Sequence, residues 1–319
     1  MRKPTYFDRA MLVTAAALIL ADLILARVVH LDGVFHYFVA FWPIVLPLVG
    51  FLWLCRQNPL PKLAEFAEPL TWGFILMSAM APLALVAGRS YRPLQDSALA
   101  VWDMRLHFNT SWIAGLTGSN ATLHFASSFF YESLPVLTLL GAMVPPGFGR
   151  ADASRKFVVS VVIGSLITIA ISAMFPAVGP WTTEHFSPST AQANVATYLA
   201  LLHSDTSATI KNAGIVSFPS YHVVLAILSA ISLCSVYPLR VPALLWAALI
   251  SLSTVTTGWH YGVDVLGGVG VSFFAICGSR CLNILTAGQS LNTNRQPVVN
   301  ETGPARASIS GNLRPNVCK

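Results

Sequence analysis

The sequence predicts an all-α fold, a polytopic membrane helical bundle of about eight transmembrane helices. Hydrophobic residues make up 55% of the chain and charged residues only 10%, well below the roughly 25% of charged residues in ordinary soluble domains. Apolar runs of about 20 residues, the length that crosses a bilayer, recur from one end of the chain to the other. The net charge of +6 does not indicate a nucleic-acid partner, because the basic residues are spread over short loops and a tail.

The elements follow from these runs, taken in chain order. The first run follows basic residues as in a signal peptide, but it is too long and lacks a convincing cleavage site, so we expect a retained helix. Residues 92–119 combine apolar positions at helical spacing with charged ones, which predicts one or two amphipathic interfacial helices on the outer face. Residues 191–202 offer another short helix. The tail over residues 283–319 has few apolar residues and no periodicity, which predicts disorder. The eight predicted spans are residues 10–30, 34–55, 70–88, 122–146, 157–178, 219–237, 242–258 and 263–281.

The distribution of basic residues predicts the side of the membrane that each loop occupies. With the amino terminus in the cytoplasm, only five of the 19 Lys and Arg residues fall on the outer side, which is the expected positive-inside bias. These five are Arg27, Arg89, Arg92, Arg105 and Lys211. The same topology places residues 89–121, residues 179–218, His222 and His260 on the outer face, and both termini in the cytoplasm. The groups best suited to chemistry therefore converge at one end of the bundle.

His260 and Asp264 are four residues apart, so on a helix their side chains lie on one face and can touch. A carboxylate bonded to one imidazole nitrogen fixes the tautomer and raises the basicity of the other nitrogen, as a nucleophilic or basic histidine requires. An aspartate at membrane depth costs about 2.5 to 3.5 kcal/mol unless it is paired or lines a polar cavity. The pair therefore predicts a catalytic site, with a structural pair that anchors two helices as the alternative.

A second histidine, His222, lies at the predicted start of the sixth span. The preceding Pro219, with Ser217 available as a cap, marks a helix amino terminus, where free amides and the helix dipole favour an anion. Ser220 can add a hydroxyl donor, and His222 lies within the first turn. The alternative is an ordinary capped span whose histidine happens to lie at the level of the headgroups.

Other residues carry weaker indications. Glu132 in the fourth span and His124 near its outer end could contact a lipid headgroup, and a buried carboxylate bonded to a neighbouring helix is an equally good interpretation of Glu132. Three tryptophans fit membrane-interface anchors, namely Trp102, Trp112 and Trp181. Four glycines predict close helix packing around the His260 and Asp264 pair, namely Gly262, Gly267, Gly268 and Gly270.

Together these segments resemble the signature of the type 2 phosphatidic acid phosphatase superfamily. That signature has an Arg-Pro segment, a Pro-Ser-x-His segment, and a third segment in which Asp follows His by four residues. The matches here are Arg92-Pro93, Pro219-Ser220-Tyr221-His222, and His260 with Asp264. The pattern looks closest to the branch that contains inositol phosphorylceramide synthases, an inositolphosphotransferase branch. The resemblance covers residues 89–280, and it implies a six-helix core over residues 70–282 with two added helices in residues 1–69.

The chain departs from that signature at three positions. Leu85 stands where the superfamily usually has a lysine, and Thr254 stands where it usually has an arginine. Tyr221 stands where the second segment usually has a glycine. Two of the usual phosphate-binding cations are therefore missing. The candidates to replace them are Arg89, Arg92, Arg105 and Lys211.

The resemblance implies a two-step phosphoryl transfer with no metal or other cofactor. His260, oriented by Asp264, would attack the phosphorus and form a phosphohistidine, while His222 would protonate the leaving oxygen. Water, or an alcohol such as a sugar or inositol hydroxyl, would then take the phosphoryl group. The substrate would be a phospholipid, a prenyl phosphate or a phosphosphingolipid. The expected phosphate-binding residues are Arg92, Ser220, Tyr221, Lys211 and Arg89.

Several functions stay open on the sequence alone. A phosphatase and a transferase share the first half-reaction, but a transferase must bind an acceptor alcohol and keep water out. A non-catalytic lipid-binding or transport protein is the alternative of another class, although transporters usually place polar groups near the midplane of repeated halves. We expect an integral membrane protein of a bacterial inner membrane with a periplasmic site, or with a lumenal site in a eukaryotic host.

Overall fold

The structure, a computed structural model, describes residues 5–58, 60–184, 186–204, 207–209 and 216–293, with side chains described to residue 282. These residues form twelve α-helices, two short 3-10 helices and one pair of two-residue strands. The α-helices are α1 Tyr6–Val28, α2 Val34–Gln57, α3 Pro61–Gly88, α4 Asp96–Arg105, α5 Thr110–Ser119, α6 Ala121–Glu132, α7 Leu134–Gly147, α8 Ala151–Met174, α9 Thr190–Leu202, α10 Tyr221–Leu233, α11 Arg240–Thr256 and α12 Gly262–Thr293. The 3-10 helices are Pro180–Thr182 and Tyr237–Leu239, and β1 (Leu31–Asp32) pairs in parallel with β2 (Ala208–Thr209).

The predicted polytopic helical bundle is confirmed. Among the residues that the structure describes, seven segments are long and apolar enough to cross a membrane, with α6 and α7 counted together as one of them. The remaining predicted span, the sixth (residues 219–237), is α10, an apolar helix of only 13 residues, which rises about 20 Å at 1.5 Å per residue. Short helices occur where they were predicted, with α4 and α5 inside residues 92–119 and α9 over residues 190–202.

Two spans differ from expectation at their beginning or middle. Helix α3 starts at Pro61 rather than at residue 70, because proline fits the first turn of a helix and the charged residues that follow still favour helix. The expected boundary between residues 69 and 70 therefore falls inside one continuous helix. The fourth span is broken at Ser133, because Pro135 cannot donate a backbone N–H to the helix ladder.

The last helix is longer than predicted. Helix α12 ends at Thr293, although we expected the span to end at 281 and a disordered tail to begin at 283. No proline or glycine interrupts residues 279–287, so the helix continues past the apolar run. The rest of the expected tail, residues 294–319, lies outside the described residues.

The core lies between α3, α7, α8, α10 and α11, and both α1 and α2 pack against α3. Small residues allow these helices to approach closely, as is usual in membrane bundles. A Cβ atom at Gly141 of α7 would lie 3.0 Å from the Ser229 Cα of α10. A Cβ atom at Gly164 of α8 would lie 3.0 Å from a Val224 methyl group. The short α10 is therefore held tightly on two sides.

One end of the bundle is fastened by an ionic network. Arg56 at the end of α2 contacts Asp8 of α1 at 2.9 Å and Glu68 of α3 at 2.8 Å. Glu68 also accepts a 2.6 Å bond from Arg155 of α8, and Trp72 donates to Asp8. The start of α10, which carries His222, lies toward the opposite end, since α8 begins in this network and Phe175 at its end contacts Phe218, just before α10.

Candidate active site

His260 lies in the short connection between α11 and α12, and its ring nitrogen Nδ1 faces two acceptors. The Asp264 Oδ2 atom is 3.1 Å from Nδ1, and the Ser217 carbonyl oxygen is 2.9 Å from it. Since neither oxygen can donate to a ring nitrogen, Nδ1 carries the proton. Nε2 is then left with a free lone pair, which is the state that a nucleophile or a base requires. The two residues meet across a loop and the first turn of α12, not along a single helix as expected.

Asp264 connects the two histidine segments. It is fully buried, and besides His260 its Oδ2 atom accepts from the Ser217 hydroxyl at 3.2 Å and from the Tyr261 amide at 3.1 Å. Its backbone carbonyl accepts the Ser220 amide at 3.0 Å. The start of α10 and the start of α12 are therefore tied together through this one residue.

His222, in the first turn of α10, faces His260. The two ring centroids are 6.1 Å apart and the rings are tilted by 59°. Tyr131 of α6 stacks on the other side of His222, with centroids 4.2 Å apart. The structure thus brings His222, His260 and Asp264 together at one end of the bundle, although 42 residues of chain separate His222 from Asp264.

Both histidines line a cavity of about 410 Å³, called here the site cavity. Its lining is mostly apolar, and the polar side chains in it come from both histidines and from several hydroxyl-bearing residues. This volume can hold a phosphate with part of an attached group. The lining residues are Met77, Met80, Ala81, Ala84, Tyr131, Ser165, Thr168, Ile169, Val178, Val195, Val216, Ser217, Tyr221, His222, Trp259 and His260.

The protonation state of His260 follows from its burial. Burial lowers the pKa of His260 from its ordinary 6.5 to about 4, although the hydrogen bond with the Ser217 carbonyl opposes this shift. The ring is therefore neutral at neutral pH. Neutrality agrees with the hydrogen-bond geometry, which leaves a lone pair on Nε2.

Comparison with known proteins gives one clear result. The profile of a family described as the PAP2 superfamily matches residues 97–278. The chain belongs to the PAP2 superfamily. Proteins of curated function give no match, and solved structures give none either. Membership supports a phosphatase-type or phosphotransferase-type activity, and the matched region contains His222, His260 and Asp264 while Arg92-Pro93 precedes it.

At the PAP2 positions that lack the usual cations, this chain has closely packed side chains. Leu85 is buried in a cluster with residues of α1 and α9. Thr254 is fully buried, and its carbonyl accepts the backbone amides of Trp259 and His260. A long cationic side chain would not fit at either position without repacking.

The candidate replacement cations lie apart from the site cavity where they are described. Arg92 is exposed and is not among the lining residues of the cavity. Arg89 is buried and donates to the Tyr91 hydroxyl and the Ser204 carbonyl. Arg105 is exposed and lies over the Trp102 ring. Lys211 lies outside the described residues. The phosphate-binding roles of Arg92, Arg89 and Lys211 stay predictions.

Ser220 and Tyr221, the other two phosphate-binding candidates, both lie at the start of α10. Ser220 is fully buried, and its hydroxyl has no hydrogen-bond partner among the described residues. Tyr221 lines the site cavity, but its hydroxyl is directed to the Ser165 hydroxyl at 2.6 Å and to the Met77 sulfur at 3.3 Å. The Tyr221 hydroxyl is therefore directed toward α8 and α3.

The two candidates for headgroup contact are not close to the cavity. Glu132 and His124 are both exposed on the surface of the bundle, and neither is among the residues that line the site. Their neighbour Tyr131 lines it instead. The residue of this helix that contacts His222 is therefore Tyr131, the immediate neighbour of Glu132, and not Glu132 itself.

Trp181 and the glycines were also assigned from the sequence. Trp181 is buried and packs edge-on against Trp259, so it is not an exposed interface anchor, whereas Trp102 and Trp112 are exposed. A Cβ atom at Gly268 would lie 2.7 Å from the Ser220 carbonyl oxygen, and one at Gly267 would lie 2.9 Å from Pro219. These contacts confirm close packing of α12 on the start of α10.

The other two glycines do not pack against a neighbouring helix. Gly262 meets the Phe108 ring of a loop, and Gly270 faces open space.

Two buried aspartates of α4 support the site and were missed in the sequence. Asp103 accepts from the Gly262 and Val263 amides at 2.8 and 2.7 Å, so it caps the start of α12. Asp96 accepts from the Gly179 amide at 2.8 Å and from the Tyr261 hydroxyl at 3.2 Å. Their spacing of seven residues, which places both on one face of a helix, was the available signal.

Proposed function

We propose that this protein is an integral membrane phosphatase or phosphotransferase that transfers a phosphoryl group from a lipid through a histidine nucleophile. The observation that carries the proposal is the His260 ring, whose Nδ1 is held by two acceptors while the ring faces His222 across a cavity. Membership of the PAP2 superfamily supports the same class of reaction. The substrates proposed are a phospholipid, a prenyl phosphate or a phosphosphingolipid.

In the first step, the Nε2 lone pair of His260 attacks phosphorus and the bond from phosphorus to the leaving oxygen breaks. With the phosphate anion bound beside it, His222 is protonated; it donates this proton to the leaving oxygen and becomes neutral, while the imidazole ring of His260 becomes cationic. Asp264 stabilises this cation through Nδ1–H at 3.1 Å. In the second step, neutral His222 removes a proton from water or an alcohol, whose oxygen then attacks the phosphohistidine and restores His260.

Phosphate charge would be stabilised by donors at the start of α10. The first amides of a helix have no partners within that helix, and they attract anions together with the helix dipole. The Ser220 hydroxyl lies at the same helix start and is buried without a partner among the described residues, although Ser220 is not one of the residues that line the site cavity. Phosphoryl transfer depends mainly on positioning and charge stabilisation, which these groups supply.

A transferase of the inositol phosphorylceramide synthase type is the second candidate. The observation that favours it is the lining of the site cavity, in which methionine, alanine, valine and isoleucine side chains surround the two histidines. Such a lining excludes water, as a transferase must. An alcohol on a lipid or a glycan would then be the acceptor.

The sidedness of the site is also a proposal. The bias of basic residues supports an extracytoplasmic site and cytoplasmic termini. In a bacterial host this is the periplasmic side of the inner membrane. Labelling of a single cysteine introduced at exposed Trp112 with a membrane-impermeant reagent in intact cells would support this sidedness, and labelling only after lysis would contradict it.

A substrate panel tests the activity. Purified protein in detergent is offered phosphatidic acid, prenyl diphosphate, and ceramide with phosphatidylinositol. Phosphate release from the first two identifies a hydrolase, and a new phosphosphingolipid identifies a transferase. Binding without turnover of any of the three would favour the non-catalytic lipid-binding alternative.

A further inference from the structure

A second cavity adjoins the first and lies farther from His260, along α3 and α8. It measures about 400 Å³, is lined by residues of α2, α3, α7, α8 and α10, and opens on the surface of the bundle, where Phe74 and Leu139 are exposed. We call it the deep cavity. Its lining is apolar apart from a few hydroxyl groups. The lining includes Tyr37, Phe41, Gly73, Thr138 and Val158.

The two cavities share part of their walls. Met77, Met80 and Ser165 line both of them. Tyr221 spans the same place, because its hydroxyl contacts Ser165 at 2.6 Å and the Met77 sulfur at 3.3 Å. The partition between the cavities is therefore one layer of side chains, two of which are flexible methionines that can move aside.

Much of the wall of the deep cavity lies outside the region that matches the PAP2 superfamily. The match begins at residue 97, whereas α2 contributes Tyr37 and Phe41 and α3 contributes the residues from Pro69 to Met80. The rings of Tyr37 and Phe41 are 4.7 Å apart, so they form a continuous aromatic patch on α2. The wall of this cavity is thus built in part by α2 and α3, outside the matched region, and in part by α7, α8 and α10, inside it.

We propose that the deep cavity binds the hydrocarbon tail of the substrate lipid, and that α2 and α3 set which tails are accepted. This inference rests on the proposed function, because the phosphate must lie between His222 and His260. A lipid held there needs an apolar path for its tail, and the shared wall at Met77 and Met80 leads directly to one. A tail in the deep cavity would contact the Phe41 ring on one side and Val158 on the other.

Two pairs of variants on different helices test the proposal. A Cβ atom at Gly73 of α3 meets nothing closer than a Val158 methyl group at 4.0 Å, so Gly73→Ala leaves the cavity open while Gly73→Leu fills it. Thr138 of α7 also lines the cavity, and its hydroxyl has no hydrogen-bond partner among the described residues. Thr138→Val keeps its shape, and Thr138→Phe fills the space.

The readout is kcat/KM for long-chain phosphatidic acid compared with a short-chain, water-soluble homologue. For Gly73→Leu and Thr138→Phe we expect kcat/KM to fall about ten-fold or more on the long-chain substrate, the scale on which an apolar pocket discriminates small differences in bulk. On the short-chain substrate we expect less than about a two-fold change. The matched Gly73→Ala and Thr138→Val variants, which leave the cavity open, should lose far less kcat/KM on the long-chain substrate than the variants that fill it.

An equal loss on both substrates would mean that the filled cavity is only structural, and no loss on the long-chain substrate would mean that the tail lies elsewhere. Either result overturns the proposal. A long-chain phosphonate, whose carbon–phosphorus bond is not cleaved, separates this question from turnover. If it binds the wild type and binds Gly73→Leu about ten-fold more weakly, the tail site stands even if no substrate is turned over. Equal binding by wild type and Gly73→Leu overturns it.

Size-exclusion chromatography and thermal unfolding check each variant. If Gly73→Leu does not fold, the Thr138→Phe variant tests the proposal alone, because Thr138 lies on α7 and its substitution alters a different wall of the deep cavity. The Gly270→Leu variant controls for added bulk on a helix, since Gly270 of α12 faces open space and is not part of either cavity.

Discussion

Replacing Asp264 by asparagine is the most informative perturbation of the site. The asparagine side chain has the same shape, and its oxygen can still accept from the Tyr261 amide and the Ser217 hydroxyl, which now contact Oδ2 at 3.1 and 3.2 Å. The Ser217 carbonyl, 2.9 Å from Nδ1, still selects the tautomer of His260. The substitution therefore removes the negative charge while most of the geometry is retained.

The size of the effect follows from the distance between the charges. When Nε2 of His260 is phosphorylated, the ring becomes cationic with Nδ1 at 3.1 Å from the Asp264 carboxylate. Opposite charges about 4 Å apart attract by about 4 kcal/mol at an effective dielectric constant near 20. This attraction develops as the transition state forms, and each 1.36 kcal/mol is a factor of ten in rate. We therefore expect kcat of Asp264→Asn to fall by about three orders of magnitude.

The assay is steady-state turnover of the best substrate from the panel, with thermal unfolding measured in parallel. We expect KM to change little, because the carboxylate is fully buried and does not contact the substrate in the proposed reaction. Asp264→Ala serves as the comparison, since it removes the acceptor as well as the charge. A kcat within about ten-fold of wild type in folded Asp264→Asn would refute the reasoning, because the charge would then contribute less than 1.4 kcal/mol.

Three further predictions follow from the geometry. His222→Gln should slow transfer from lipids with poor leaving groups far more than from a p-nitrophenyl ester, measured as the ratio of the two kcat values, and equal slowing would exclude His222 as the acid. Gly268→Ala should lower the unfolding temperature, because the added Cβ would lie 2.7 Å from the Ser220 carbonyl oxygen. Gly270→Ala should leave the unfolding temperature unchanged, because Gly270 faces open space. Equal effects of the two substitutions would contradict this packing. Since the pKa of His260 is lowered to about 4, its contribution to kcat/KM should be lost only as pH falls through about 4. Between pH 6.5 and 4 the unfolded state binds one more proton at His260 than the folded state, so the free energy of unfolding should decrease as pH falls through that window. Both kcat/KM and the free energy of unfolding are measured as a function of pH. An acid limb of kcat/KM near pH 6.5 that is assigned to His260 would contradict the prediction.

The bundle was predictable because each apolar run is long enough to decide its own conformation. The departures occur where single residues override that pattern. Pro61 starts α3 early, Pro135 breaks the fourth span, and the absence of a helix breaker after residue 279 lets α12 continue. Such effects depend on local backbone chemistry rather than on mean hydropathy, which is why boundaries were less accurate than the number of spans.

The juxtaposition of His260 and Asp264 was predictable from their spacing of four residues. The surroundings of the pair were not, because they depend on tertiary contacts. Asp103 and Asp96 bond to backbone amides 82 to 160 residues away in the sequence. Tyr131 of α6 reaches His222 of α10 through packing between helices. The sequence of that span drew attention to the charged Glu132 and gave no sign of this contact.

The central claim is that Nε2 of His260 takes the phosphoryl group. The most direct measurement is rapid quenching of the enzyme with a radiolabelled substrate, followed by localisation of the label by mass spectrometry of the digested protein. We predict an acid-labile, base-stable phosphate on His260, absent from His260→Ala. Turnover that proceeds with label on another residue, or without any covalent intermediate, would contradict the account.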